Sequence, residues 1–188
     1  MRGADKLLQS VFGTPLLRLI TQRALQSSTH VAVALRPEDQ GRLQALKGLQ
    51  VSRLSVSDAT EGMAASLRAG ANWALDLPVT ALMIVLPDMP EITTDDMDAL
   101  ISAQACAPDL PLRACTASGK QGHPVILPRN LLPDMQKLRG DVGARDLLVT
   151  HPPRLHALAD ARALIDLDTP EAWEAWQKTR SNSLSDNS

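Results

Sequence analysis

The sequence contains no tyrosine and a single phenylalanine, and with three tryptophans its aromatic share is only 2%. Proteins that bind single-stranded nucleic acid stack the bases on aromatic side chains, so the composition disfavours this class. A formal net charge of −2 and an isoelectric point near 6.1 also argue against nucleic-acid binding by bulk electrostatics. With so few aromatic residues, the core must be built from aliphatic side chains.

Metal-binding cysteine patterns and long apolar runs are also missing. The two cysteines, Cys106 and Cys115, lack close spacing and histidine partners, so we expect free thiols in a reducing compartment. No apolar run approaches the roughly 18 residues that a membrane span needs, and no secretory leader opens the sequence. We therefore expect a cytoplasmic protein without membrane contact.

The apolar residues alternate between two periodicities along one domain, expected over residues 1–178, with a disordered polar tail over 179–188. Helical spacing occurs over 16–25, 37–47, 62–75, 93–105, 131–138 and 143–149, and a last helix begins at 169–171. Strands are predicted over 30–35, 51–56, 81–86, 112–116, 124–127 and 163–167. This alternation predicts a three-layer α/β domain with a largely parallel sheet, whose ligands bind where strands end.

Acidic side chains lie at or just after the ends of two predicted strands. Asp88 comes shortly after the apolar strand 81–86, where a hard cation such as Mg²⁺ is commonly held. Asp166 and Asp168 are two positions apart, which directs both side chains to one side of an extended segment. A turn aspartate at Asp88 and a helix-capping role for Asp168 remain the structural alternatives.

Several other residues suit contacts with an anionic substrate. Gly62 begins a predicted helix, whose free backbone N–H groups favour a phosphate or a base carbonyl. Arg2 and Lys6 flank a glycine-containing segment and suit phosphate contacts, although short basic stretches are usually only solvated. Arg145 either closes a helical turn with a preceding aspartate or reaches an anion. His123, between a glycine and a proline, is the histidine that we place near a site.

Taken in order, these segments resemble the molybdenum-cofactor nucleotidyltransferases, the MobA-like NTP transferases, and most of all their cytidylyltransferase branch. The resemblance covers residues 1 to about 176 and includes one departure, a proline for the family's glycine before Asp88. The segments that carry it are MRGADKLL at 1–8, GTPLL at 13–17, GMAASL at 62–67, LPDMP at 86–90, GHPV at 122–125, GDVGAR at 140–145 and DLDTPE at 166–171.

The resemblance implies a Rossmann-like nucleotide-diphospho-sugar transferase fold and an Mg²⁺-dependent enzyme. Its expected reaction transfers CMP from CTP to molybdopterin and releases pyrophosphate, and a molybdoenzyme or its maturation factor is an expected protein partner. By the same resemblance, Lys6 and Asp88 are catalytic, and Asp88, Asp166 and Asp168 bind the metal. The implied substrate-binding residues are Arg2, Gly62, Ser66, His123 and Arg145.

Three alternatives remain open at this point. Two are enzymes of the same fold, a GTP-dependent cofactor enzyme and a methylerythritol-phosphate cytidylyltransferase, and the third is a non-catalytic cofactor-binding protein. The family's first apolar strand and glycine-rich loop precede the segment where the resemblance begins. We therefore expect an internal start or a truncation, which would leave two unpaired strand edges and weaken stability or catalysis.

Overall fold

The computed structural model describes residues 5–57, 62–140 and 144–185. The α-helices are α1 Leu16–Ser27, α2 Gln40–Ala45, α3 Met63–Leu75, α4 Thr94–Ala105, α5 Leu132–Met135, α6 Arg145–Thr150 and α7 Pro170–Ser185. The strands are β1 Ser10–Val11, β2 Thr14–Pro15, β3 Ala32–Leu35, β4 Ser52–Ser55, β5 Ala81–Ile84, β6 Leu112–Cys115, β7 Gln121–Pro128 and β8 Arg154–Ala157. Short 3-10 helices span Lys6–Leu8, Arg129–Leu131 and Arg162–Leu164.

The larger sheet is mixed, with the strand order β5-β7-β6-β8. Strand β7 runs antiparallel to both of its neighbours, whereas β6 and β8 are parallel. Strands β3 and β4 form a separate parallel pair, and β1 and β2 form a small hairpin. Within the described residues no ladder joins β3 to β5, but α3 contacts strands of both sheets and holds them side by side.

Alternating side chains of β7 show how helices cover both faces of the sheet. Val125 and Leu127 pack into a cluster with residues of α3, α5 and α6, whereas Ile126 points into another cluster with residues of α4. Because successive strand residues face opposite sides, the continuous apolar run of β7 is buried on both faces of the sheet. The result is the three-layer arrangement that the alternating periodicities predict.

The helix boundaries follow local signals in the chain. Helix α4 begins after Thr93, whose hydroxyl accepts from the Asp96 amide while the Asp96 carboxylate accepts from the Thr93 amide. This reciprocal capping satisfies two backbone donors that would otherwise lack partners. Helix α7 continues to Ser185, so the structure is helical where we expected a disordered tail from residue 179.

The strand predicted over 163–167 is wrong, and β8 was not predicted. Residues Arg162–Leu164 form a 3-10 helix, and the segment after it joins no ladder: the Leu167 amide donates to the Asp88 carbonyl. Strand β8 alternates between half-buried and exposed positions, which gave no apolar signal, yet it pairs in parallel with β6. Tertiary pairing therefore outweighs local propensity at this end of the chain.

Within the described part of the chain, none of the helices combines the length and the apolar character needed to cross a membrane.

Candidate active site at the end of strand β5

Strand topology brings three chain segments to one edge of the sheet. Strand β5 ends at Ile84, shortly before Asp88, and the antiparallel β7 begins at this edge, with Val125 paired to Ile84. Strands β6 and β8 end at the same edge, and the Leu158 amide after β8 donates to the Cys115 carbonyl. The segment that follows Asp88, the start of β7 and the segment after β8 are therefore neighbours.

Lys6 and two aspartates form the centre of this edge. The Lys6 Nζ atom lies 2.7 Å from Asp88 Oδ2 and also forms an ion pair with Asp168 Oδ1. The backbone around Lys6 is held in place by one hydrogen bond and one ion pair, both made by Asp5. Asp5 caps the 3-10 helix by accepting from the Leu7 amide, and Arg42 Nε lies 2.7 Å from Asp5 Oδ2.

The position of Asp168 depends on a close backbone contact between β7 and the segment after β8. A Cβ atom at Gly122 would stand 1.9 Å from the Ala163 carbonyl oxygen, so only glycine leaves room there. From this contact the chain runs to Leu167, whose amide donates to the Asp88 carbonyl at 3.0 Å. These two contacts carry Asp166 and Asp168 to Asp88.

The carboxylates are crowded enough to perturb one another. Burial, followed by repulsion from Asp168 and Asp88, raises the pKa of Asp166. The hydrogen bond from Lys6 holds the pKa of Asp168 below its ordinary value. Burial lowers the pKa of Lys6, but hydrogen bonds to Asp168 and Asp88 outweigh it and the pKa is raised. The cluster thus concentrates negative charge around one ammonium group.

The donor set at this edge suits a hard divalent cation. The Asp88 Oδ1 atom is buried and has no hydrogen-bond partner, which leaves one strong acceptor unsatisfied beside the pair with Lys6. Among the described residues, no three acidic, histidine or cysteine side chains converge closely enough to hold a metal ion as they stand. In the structure Asp88 and Asp168 pair with the Lys6 ammonium, so their role as metal ligands stays a prediction.

His123 lies at the start of β7 on the same edge. Burial, followed by the positive charge of Arg113, lowers the pKa of its imidazole, while Asp88 and the Ile84 carbonyl act in the opposite direction. The Nδ1 atom is buried and without a hydrogen-bond partner. Arg113 Nε donates to the Gly122 carbonyl at 2.8 Å, and this bond fixes the backbone beside the ring. The structure thus brings a largely neutral histidine toward Asp88.

Helix α3 begins at Met63, directly after Gly62. Gly62 caps it with φ 67° and ψ −148°, a backbone conformation that is restricted almost entirely to glycine. Ser66 is half-buried in the first turns of the helix, which offers free backbone N–H groups at its start. Both predicted residues therefore lie at a helix N-terminus with the geometry that the sequence indicated.

Among the described residues, no hydrogen bond or ion pair joins Gly62, Ser66 or Arg145 to the cluster of Lys6, Asp88 and Asp168. Arg145 is exposed in the first turn of α6, and within the described residues no hydrogen bond or ion pair links it to Asp88, Asp166 or Asp168. Arg2 lies outside the described residues. Their predicted roles stay predictions.

Sequence reasoning missed Arg23, which supports the loop after Asp88. From α1, its Nη1 atom donates to the carbonyls of Pro90 and Ile92, both at 2.7 Å. Glu91 in the same loop accepts from the Trp176 indole of α7. No local pattern marks such residues, because their partners are far away in sequence and depend on how the helices pack.

A lysine and two carboxylates lie together where the strands of the mixed sheet end, an arrangement that suits an anionic ligand and its counter-ion. The family model for the MobA-like NTP transferase domain matches residues 1–156. The chain belongs to this family, as the ordered motifs predict.

Comparison with individual proteins gives three further similarities. The purine catabolism protein PucB of Bacillus subtilis (strain 168) is 28% identical over 127 residues, which cover 66% of this chain and 60% of that protein. The manganese complex of Rv0371c from Mycobacterium tuberculosis H37Rv has a TM-score of 0.76 at 23% identity, covering 90% of this chain and 89% of that one. Molybdopterin-guanine dinucleotide biosynthesis protein A from Archaeoglobus fulgidus has a TM-score of 0.71 at 11% identity, covering 96% and 92%. The two structural similarities show the fold, and the Rossmann-like prediction is confirmed.

Proposed function

We propose that this protein transfers CMP from CTP to a molybdopterin-type acceptor and releases pyrophosphate. The observation that carries the proposal is the cluster of Lys6, Asp88 and Asp168 at the end of β5. A cation and two acids at this edge of an α/β sheet suit the handling of a nucleoside triphosphate and its counter-ion. Membership of the MobA-like family and the name of the archaeal structural relative support the acceptor class.

Each residue has a role that its position permits. Asp88 and Asp168 would hold Mg²⁺, with Asp166 beside them, and the manganese complex of the mycobacterial relative supports a divalent ion. Lys6 would contact the triphosphate together with Arg2. The N-terminus of α3, from Gly62 to Ser66, would meet the base or ribose.

The acceptor would bind on the other side of the reacting phosphorus. We assign His123 and Arg145 to this side: His123 lies on the edge near Asp88, and Arg145 is exposed and free to reach an anion. A neutral imidazole with an unpartnered Nδ1 atom can exchange a hydrogen bond with a bound substrate. These assignments rest on position and resemblance together.

The chemistry is a displacement at phosphorus. An oxygen of the acceptor phosphate attacks the α-phosphorus of CTP, a new P–O bond forms, and the bond to the β-phosphate oxygen breaks as pyrophosphate leaves. A divalent ion, when bound, neutralises charge on the phosphates. The protein's own contribution is to position the two phosphates in line and to present Lys6 to the charge that develops.

Pyrophosphate release tests the proposal directly. With CTP, Mg²⁺ and molybdopterin, Asp88→Asn should lower the rate by about 100-fold or more, because it removes a charge that faces the phosphates and their ion. Asp98→Asn is the matched control, since Asp98 is exposed on α4 and the same charge is lost. We expect this control to retain the wild-type rate.

Parallel reactions separate the alternatives. Release with GTP in place of CTP would move the assignment to a guanylyl enzyme, and release with methylerythritol phosphate would move it to the isoprenoid-type cytidylyltransferase. Stabilisation by molybdopterin with no release from any nucleotide would indicate a binding protein. Equal rates for wild type and Asp88→Asn would contradict the proposed site.

A further inference from the structure

Lys6 occupies the position between the two carboxylates that are proposed to hold the metal. Its ammonium lies 2.7 Å from Asp88 Oδ2 and pairs with Asp168 Oδ1, although these residues are 82 and 162 positions away in sequence. The contact with Asp88 is partly shielded, since the Lys6 side chain is 29% exposed and that of Asp88 16%, whereas the Asp168 side chain is 61% exposed. The protein thus neutralises its own acidic pair with an internal cation.

A divalent ion bound at this site would need the same two carboxylates. Mg²⁺ sits about 2.1 Å from carboxylate oxygens, so an ion bound by Asp88 and Asp168 would lie within a few ångströms of the ammonium. Two cations at that separation repel one another strongly in a partly buried site. Lys6 and the metal therefore cannot both bind tightly to the carboxylates of Asp88 and Asp168 at the same time.

We propose that Lys6 is an internal counter-ion that the divalent metal displaces, so that metal binding and the movement of Lys6 toward the nucleotide phosphates are one coupled step. This inference rests on the proposed function for the identity of the metal ligands. It goes beyond that function because it predicts that the protein without nucleotide binds the metal weakly, since Lys6 competes for the same carboxylates. The nucleotide then strengthens metal binding by giving the displaced ammonium new partners.

The surroundings of Lys6 permit this movement without unfolding its segment. The backbone is held independently of the side chain, by the Asp5 cap and by the Asp5–Arg42 ion pair. The four-carbon lysine stem can rotate while that anchor stays in place. The unpartnered Asp88 Oδ1 atom remains available as a metal ligand during the exchange.

The test is Mn²⁺ binding to the full chain by electron paramagnetic resonance, with and without CTP and with no acceptor present. Lys6→Met removes the internal cation and keeps the stem. Lys6→Arg keeps the positive charge, and Lys137→Met is the charge-matched control, because Lys137 forms an exposed ion pair with Asp134. Circular dichroism verifies that each variant is folded.

Without CTP, we expect Lys6→Met to bind Mn²⁺ about 3- to 30-fold more tightly than wild type, the range expected from losing two partly exposed ion pairs. Lys137→Met should bind like wild type, and Lys6→Arg, which keeps a competing positive charge, should bind Mn²⁺ more weakly than Lys6→Met. Saturating CTP should tighten Mn²⁺ binding by a larger factor in wild type than in Lys6→Met, because only wild type has a competitor to remove.

Two results would overturn the inference, and they differ in what they leave standing. If Lys6→Met binds Mn²⁺ no more tightly than wild type while Asp88→Asn binds it more weakly, the metal site stands and the competition does not. If neither Asp88→Asn nor Asp168→Asn alters Mn²⁺ binding, the proposed metal site fails and the exchange fails with it.

Discussion

The contact between Gly122 and Ala163 gives the sharpest test of how the candidate active site is assembled. Replacing Gly122 by alanine would place a Cβ atom 1.9 Å from the Ala163 carbonyl oxygen and 2.6 Å from its carbonyl carbon. Ordinary contacts between such atoms exceed about 3 Å, so the Arg162–Leu164 segment must retreat by roughly 1 Å or more. Because the obstacle is backbone, no side-chain rotation relieves it.

The magnitude follows from this displacement. Overpacking a filled site costs about 1–3 kcal/mol, and a clash with backbone belongs at the upper end, near 3 kcal/mol. For a chain of this size that corresponds to a fall in Tm of about 6–12 °C. The retreating segment also carries Asp168 away from Asp88, and a misplacement of about 1 Å costs on the order of 100-fold in rate.

Gly70→Ala is the matched control for Gly122→Ala. Gly70 lies inside α3, and the nearest atom to an added Cβ is Leu82 Cδ2 at 3.8 Å, an ordinary contact. The same substitution should there stabilise the protein by about 0.5–1 kcal/mol, because alanine is the better helix former. Urea unfolding followed by tryptophan fluorescence measures both changes, and pyrophosphate release measures the rate.

Two outcomes would refute this reasoning. Wild-type stability for Gly122→Ala would mean that β7 and the Ala163 segment are not packed at the distance described. A clear loss of stability with an unchanged rate of pyrophosphate release would mean that this contact does not position Asp168. Destabilisation by both alanine substitutions would point to a general effect of replacing glycine.

Two further predictions concern stability. Arg129→Met should cost about 1–2 kcal/mol in urea unfolding, because it removes the hydrogen bonds that the guanidinium donates to the carbonyls of Ala74, Leu75, Leu77 and Val79, at and after the end of α3. The estimate is kept low because the Ala74 carbonyl also accepts from the Leu77 amide and the other three bonds are exposed to solvent. Wild-type stability would contradict that role. Burial raises the pKa of Asp5, but hydrogen bonds from Arg42 and the Leu7 amide outweigh it and lower the pKa below its ordinary value. The stabilisation is therefore present above the unfolded pKa and is lost as the pH falls through the lower folded value. Asp5→Asn should be about 1 kcal/mol less stable than wild type at pH 7, with a gap that narrows as the pH falls below the ordinary pKa of an aspartate. Thermal unfolding at pH 7 and at acidic pH would refute this if the gap were constant.

Local signals in the sequence determined much of the architecture. Apolar residues at helical spacing located α1, α3 and α4, since a helix that packs on a sheet must repeat its buried face every turn. The continuous apolar runs located β3, β5 and part of β7, because a sheet covered on both sides buries every residue. The motifs kept their order along the chain, and that order alone indicated the family that the match over residues 1–156 shows.

The same local reasoning failed where a segment's structure depends on a distant contact. Residues 163–167 read as a strand, but the Ala163 backbone packs against Gly122 and the Leu167 amide bonds to Asp88, so no ladder forms. Strand β8 has no strong apolar pattern and exists because the free edge of β6 accepts it.

Only the tertiary structure determined which residues of the candidate active site contact one another. The sequence indicated Lys6, Asp88 and Asp168 as separate candidates, and no spacing rule relates a lysine to an aspartate 162 positions away. Their meeting requires the β7–Ala163 contact, the capped segment of Lys6 and the loop that Arg23 supports. Helix and strand patterns depend on residues that are close in sequence and can be predicted from them. An ion pair between distant residues depends on the packing of all the elements between its partners.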